Sequence, residues 1–228
     1  YLSLMAIGFL YNLGVWSDKF IFWYGASTGQ NVIGPLKASL IYDLPIFLAY
    51  LSIIPGMAVF LTRMETDFVE YYDKFYNAVR EGGSLDQIEH LRDEMVFTIR
   101  QGIFEIIKIQ SIAVLITFAA APALLRLLGV SQLYQGLLYI DVVAAGTQVV
   151  LLGLLNVFFY LDKRHIVLLL CSVFVVLNIA LTFLSLQLGP AYYGYGFALS
   201  LLFTVLLGMM LLDRKLDRLE YSTFMLQN

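Results

Sequence analysis

Long apolar runs, separated by short polar breaks, fill most of the chain. A helix needs about 20 largely apolar residues to cross a bilayer. Six runs reach or approach that length: 2–24, 40–61, 103–125, 137–161, 166–188 and 197–212. They are continuously apolar, unlike the alternating segments of about ten residues that build a membrane barrel, which argues against strands. The expected fold is therefore all-α, a polytopic helical membrane protein with six transmembrane helices.

One break is long enough to hold structure of its own. Between residues 63 and 102, Phe68, Tyr72, Phe75, Tyr76 and Val79 recur at helical spacing, with Asp67, Glu70, Asp73 and Lys74 among them. That is the pattern of an amphipathic helix. Gly82-Gly83 supplies a stop. Ser84, with Gln87 three residues on, has the form of a capping box that opens a second helix. The apolar face of this helix (Ile88, Leu91, Met95, Ile99) leads toward the third span. The segment reads as a helical hairpin lying on the membrane or packed under the bundle. Alternatively, Phe68, Tyr72, Phe75 and Tyr76 form a docking site for a cytoplasmic partner. The chain divides into 1–62 (two spans), 63–102 (the helical connection), 103–212 (four more spans) and 213–228 (a C-terminal tail).

Composition agrees with a membrane location. The chain is 60% apolar and 14% charged, with a mean hydropathy of +0.80, whereas soluble domains are about 45–50% apolar and about 25% charged. This disfavours an ordinary soluble enzyme, a disordered tail, a collagen-like chain and a disulfide scaffold. A net charge of −3 argues against nucleic-acid binding, which wants a basic face. Cationic residues gather on alternate connections: Arg63, Lys74, Arg80, Arg92 and Arg100 on one, Lys163 and Arg164 on another, Arg214, Lys215 and Arg218 at the end. Only Lys37 and Arg126 lie on the opposite side. Positive residues mark the cytoplasmic face, so the 63–102 connection and the C-terminus are expected there. The chain opens on Tyr1 inside an apolar run, with neither an initiator Met nor a signal-peptide pattern. It reads as part of a longer protein.

Catalytic motifs are missing: there is no P-loop, HExxH, GxSxG or CxxC. His90 and His165 fall among charged residues and read as solvated, so no metal or cofactor is expected. Cys171 is the single cysteine and has no intrachain partner. Ionisable groups inside spans are costly and therefore functional candidates. Asp18 and Lys19 are the clearest case. As neighbours they do not share a helix face, so at least one should face the interior or a wet cavity, unless the span ends near Trp16 and both are interfacial. Glu105 and Lys108 are spaced to pair with each other. Asp43, Arg126 and Asp141, near the outer span ends, are candidates for the rim of a vestibule. Asn12, Gln148, Asn156 and Asn178 are deeper polar groups that glue helices or line a path. Pro45 and Pro55-Gly56 are expected to kink the second span.

Several stretches resemble a known family. YNLGVWSDKFIFWY (11–24), the stretch from PIFLAYLSIIPGM through LRDEM (45–95), GLLNVFFYLDKRH (153–165), YYGYGFALSLL (192–202) and LDRKLDRLEYSTFML (212–226) are similar to the PelG family of Pel exopolysaccharide transporters. That family resembles the multidrug/oligosaccharidyl-lipid/polysaccharide flippases. The resemblance covers the C-terminal half of such a protein and implies one six-helix half of a flippase-like bundle. An Asp-Lys near the middle of the first helix of a half is a feature of that superfamily, and Asp18-Lys19 match it. The implied function is export of a hexosamine-rich polysaccharide across the bacterial inner membrane. Implied partners are the missing N-terminal half and PelF-, PelD- and PelE-type proteins. A drug or cation antiporter of the same superfamily, or a non-transporting scaffold for a synthase, are the alternatives.

Overall fold

In the computed structural model, which describes residues 2–217, the apolar runs fold as helices. Helix α1 (Leu2–Tyr24) leads into a short antiparallel hairpin, β1 (Gln30–Ile33) paired with β2 (Leu36–Ala38). This is a small departure from the all-α expectation. Its cause is local: Gly34 has φ +57°, the left-handed conformation that a two-residue hairpin turn takes at its first central position.

Helices α2 (Leu40–Leu51) and α3 (Ile54–Thr62) follow, broken at Ser52 and Ile53. Pro45 lies inside a continuous α2, whereas Pro55 sits in the first turn of α3, where a missing N–H is tolerated. A π-helical turn at Arg63–Asp67 carries α3 into α4 (Phe68–Glu81), and α2 meets the combined Ile54–Glu81 helix at a 44° bend. Gly82 ends α4 in the left-handed conformation, φ 74°. The Ser84 hydroxyl then accepts from the Gln87 backbone N–H at 3.3 Å and opens α5 (Leu85–Leu127). At 43 residues, α5 is about 65 Å long, roughly twice the hydrocarbon core of a bilayer. The expected division at 102/103 falls inside this one helix.

Helices α6 (Gln135–Tyr160), α7 (Arg164–Leu188) and α8 (Tyr195–Leu216) complete the bundle. Helix α6 is its centre, packed by α2, α5 and α8, while α7 bridges α8 and α1. Apolar residues surround the axis of α6, and such a helix belongs in an interior; Leu138, Val142, Ala145, Val149, Leu154 and Phe158 are all sealed. Helix α5 instead leaves Phe104, Ile112, Leu115 and Ile116 exposed along one side, as a lipid-facing helix would.

Among the described residues, four helical segments are long and apolar enough to cross a membrane: Leu85–Leu127, Gln132–Tyr160, Arg164–Leu188 and Pro190–Leu216. The bent pair Leu40–Leu51 and Ile54–Glu81 makes a fifth if it is one broken span. The protein is thus a helical membrane protein with four or five such segments. Helix α1 accounts for the difference from six, because Asn12, Asp18 and Lys19 dilute its apolar run. Part of the expected tail from 213 belongs to α8; residues 218–228, with Arg218, lie outside the described residues.

The connection at 63–102 folds as α4 against the start of α5. Phe68, Phe75, Met95 and Ile99 are fully buried, and Tyr160 of α6 closes the cluster edge-on to Phe68 at 5.3 Å. Of the four docking candidates, Phe68 and Phe75 therefore present no surface, because packing inside the hairpin consumes them. Tyr72 and Tyr76 are half-buried and lie against each other, ring centres 4.5 Å apart and planes tilted by 45°.

Candidate functional site

Buried charge concentrates at one place, where α1, α2, α6 and α7 meet. Helix α1 brings Asp18 and Lys19, with no exposure for Asp18 and 6% for Lys19. Helix α7 can approach here because Gly14 has no side chain: a Cβ on it would fall 2.5 Å from the Phe174 ring. Asn178 then lies over α1, donating to the Gly14 carbonyl at 2.8 Å and reaching the Asp18 carboxylate at 3.4 Å. Thr182, one turn on, donates to the Asn178 side-chain oxygen at 2.9 Å, which fixes the amide's orientation.

Adjacent positions on a helix point apart, yet Lys19 and Asp18 do pair. The lysine stem is long enough to curl back, so that Nζ lies 3.1 Å from Asp18 Oδ2 and donates to the Val15 carbonyl at 2.8 Å. Its remaining side is covered by aromatic faces, Phe197 at 4.7 Å and Tyr50 at 5.5 Å, an arrangement that stabilises a desolvated cation. The second Asp18 donor is the Tyr42 hydroxyl at 2.6 Å. Tyr42 is itself held flat against Phe22, ring centres 4.0 Å apart. Asp18 thus has three donors, Lys19, Tyr42 and Asn178, of which Lys19 is also its counter-ion.

Asp141 does not. It is fully buried on α6, and neither carboxylate oxygen has a hydrogen-bond partner among the described residues. Asp18 and Lys19 are near enough to act on it electrostatically, and Gly194 at the start of α8 leaves room for it: a Cβ there would lie 2.9 Å from Oδ1. Lys19 pairs with Asp18, while Asp141 lies beside them without a hydrogen-bond partner among the described residues. Enclosed charge of this kind carries a desolvation penalty of several kcal/mol per ion unless it is paired.

The other sequence candidates lie elsewhere. Asp43 is half-buried, accepting from the Trp23 indole N–H at 2.8 and 2.9 Å and from the Ser39 N–H at 2.9 Å. Arg126 is exposed in the last turn of α5. With Asp141 enclosed, these three do not form one open rim. Glu105 pairs with Arg63 from the π-turn and with Gln101, not with Lys108, because the turn swings Arg63 across to α5. Asn156 donates to Glu65 at 2.6 Å, and Asn12 only to its own helix at Gly8. His90 and His165 are exposed. No group of three or more metal-ligating side chains occurs among the described residues.

Sequence reasoning missed the tyrosines. Tyr42 joins Asp18, while Tyr50 donates to Gln148 at 3.1 Å and Gln148 donates to Tyr11 at 3.1 Å, so that α1, α2 and α6 are linked beside the charged group. Tyr42 and Tyr50 stand within the second apolar run, 40–61. The available signal was that a buried tyrosine needs a partner for its hydroxyl, and Asp18 and Gln148 are buried acceptors.

A family model described as "PelG: Putative exopolysaccharide Exporter (EPS-E)" matches residues 1–224. No curated protein and no solved structure matches the chain significantly.

Proposed function

The chain belongs to the PelG family of exopolysaccharide exporters, and we propose that its helices form part of the path by which a Pel-type, hexosamine-rich polymer crosses the bacterial inner membrane. In this reading α1 and the bent α2–α3 unit join α5 to α8 as six spans. The α4–α5 hairpin and the C-terminus face the cytoplasm, in keeping with the Lys and Arg distribution. A PelF-type glycosyltransferase supplies the polymer, with PelD- and PelE-type proteins beside it. The chain makes no covalent change to its cargo.

The observation that supports this most is the enclosed Asp18–Lys19–Tyr42–Asn178 group with Asp141 alongside. Ionisable groups are expensive in a membrane and mark transport paths more often than they serve packing. The group is sealed in this conformation, so a polymer meets it only when helices part. Transport then proceeds by exchange of these internal bonds for contacts with sugar hydroxyls and amines.

The test is secreted polysaccharide in cells carrying Asp18→Asn or Lys19→Gln, with membrane abundance and drug tolerance measured alongside. Lost polymer at normal abundance and unchanged drug tolerance supports the reading. Normal polymer removes the pair from the path. Altered drug tolerance with normal polymer favours an antiporter.

A further inference from the structure

We propose that Gln110 of α5 is the pin of a hinge in the bent α2–α3 span, a positioning residue that holds α2 against α1. The backbone at the break is the starting point. The Ser52 and Ile53 N–H groups turn back to Ala49 and Tyr50 at 3.0 and 3.4 Å, and α3 resumes with Met57 N–H on the Ile53 carbonyl at 2.9 Å. Pro55 has no N–H to offer to the Leu51 carbonyl. The Ser52 carbonyl accepts instead from outside its own span: Gln110 Nε2 donates to it at 3.2 Å in a buried setting.

The seat for this side chain is cut from two other helices. A Cβ on Gly56 would lie 2.1 Å from Gln110 Oε1, and one on Gly146 of α6 would lie 3.0 Å from its Cγ. Each glycine leaves the space that the glutamine fills. Yet Gln110 is only half satisfied, since its Oε1 is buried without a hydrogen-bond partner among the described residues. Structural amides normally use both ends.

The chemistry is a competition between donors. In a straight helix the Ser52 carbonyl would take the N–H four residues on, that of Gly56. In the bent form Gln110 takes its place. Bent and straight states thus exchange one hydrogen bond for another, with Gln110 holding the bent one, and two discrete arrangements of this kind are what a hinge requires. The arm that moves is α2. It carries Tyr42, bonded to Asp18, and Asp43, bonded to Trp23. Twelve residues make an arm of about 18 Å, so closing a 44° bend would carry its tip by about 13 Å. The pin therefore decides whether Tyr42 sits on Asp18.

The experiment is a pulsed dipolar distance measurement on the protein in lipid bilayers, with spin labels replacing the exposed Leu40 and Leu188 at the end where α2 begins and α7 finishes. The wild type gives one distance population. Gln110→Met keeps the volume and helix preference but donates nothing; it is expected to add a second population displaced by about 10 Å or more. Gly56→Ala, which evicts the amide, is expected to do the same, with Gly146→Ala as the milder substitute if Gly56→Ala is not inserted. A single unshifted population in these variants overturns the proposal. So does loss of the native distance without a second defined one, because that reports disordering and not a hinge.

Discussion

In the group around Asp18, charges lie inside and aromatic rings wrap them; in the hairpin of α4 and early α5, aromatic rings lie inside and charges face out. Both regions are built from the same residue types. Lys19 is enclosed by Phe197 and Tyr50, whereas Lys74 lies outside over Tyr71 and pairs with Glu70 at 2.6 Å. The difference is one of solvent. Hairpin side chains sort by face because water takes their charges at little cost. Asp18 and Lys19 are buried, so they rely on donors, a counter-ion and rings, and that ties together the helices that supply them.

The largest expected effect comes from breaking that enclosure. Lys19→Met leaves Asp18 and Asp141 buried with no cation. Removing one partner of a buried pair costs about 3–5 kcal/mol, so thermal unfolding of the purified protein should shift sharply downward. The double change Asp18→Asn with Lys19→Met removes both charges of the pair and should recover most of the loss. A Lys19→Met protein that melts like the wild type would mean that the pair is wet, and the contrast between the two regions would fail.

Next in size is Phe75→Ala. The ring is fully buried in the hairpin, and emptying such a site costs about 3–5 kcal/mol. The damage should stay local, because α4 packs mainly on α5. Hydrogen exchange is expected to rise across 68–99 and to stay unchanged at α7, where Asn178 resides. Equal loosening of both regions would show that the hairpin props the bundle.

What was legible follows the same division. The hairpin could be read almost residue by residue: its aromatic stripe, the Gly82 stop and the Ser84 cap all appear where periodicity and capping rules put them. There a single helix and its water boundary determine the pattern. The Asp18 group was legible only as an anomaly. That Lys19 would curl onto its neighbour depends on the rings above it, and that Tyr42 would find Asp18 depends on a contact 24 residues away. Asp141 looked like an outer-end charge because the sequence shows depth along a helix but not enclosure around it. The 44° bend was foreshadowed by Pro55, whereas Gln110, 58 residues from the carbonyl it holds, carried no sequence signal.

The smallest effect tests whether enclosure, and not proximity, sets the strength of an ion pair here. Arg100 and Asp213 tie α5 to α8 at 2.6 Å, closer than Lys19 and Asp18 at 3.1 Å. Their side chains are 54% and 64% exposed, against 7% and 0% for the buried pair. Water screens the first pair, and holding two long side chains in place offsets much of what remains, so such pairs contribute about 0–1 kcal/mol. Arg100→Gln should therefore move the unfolding midpoint far less than Lys19→Met does. The small difference should vanish in about 1 M salt, where the screening length falls to about 3 Å. If Arg100→Gln proved as damaging as Lys19→Met, the α5–α8 seam would be clamped by its charges, and the shorter distance would outweigh exposure.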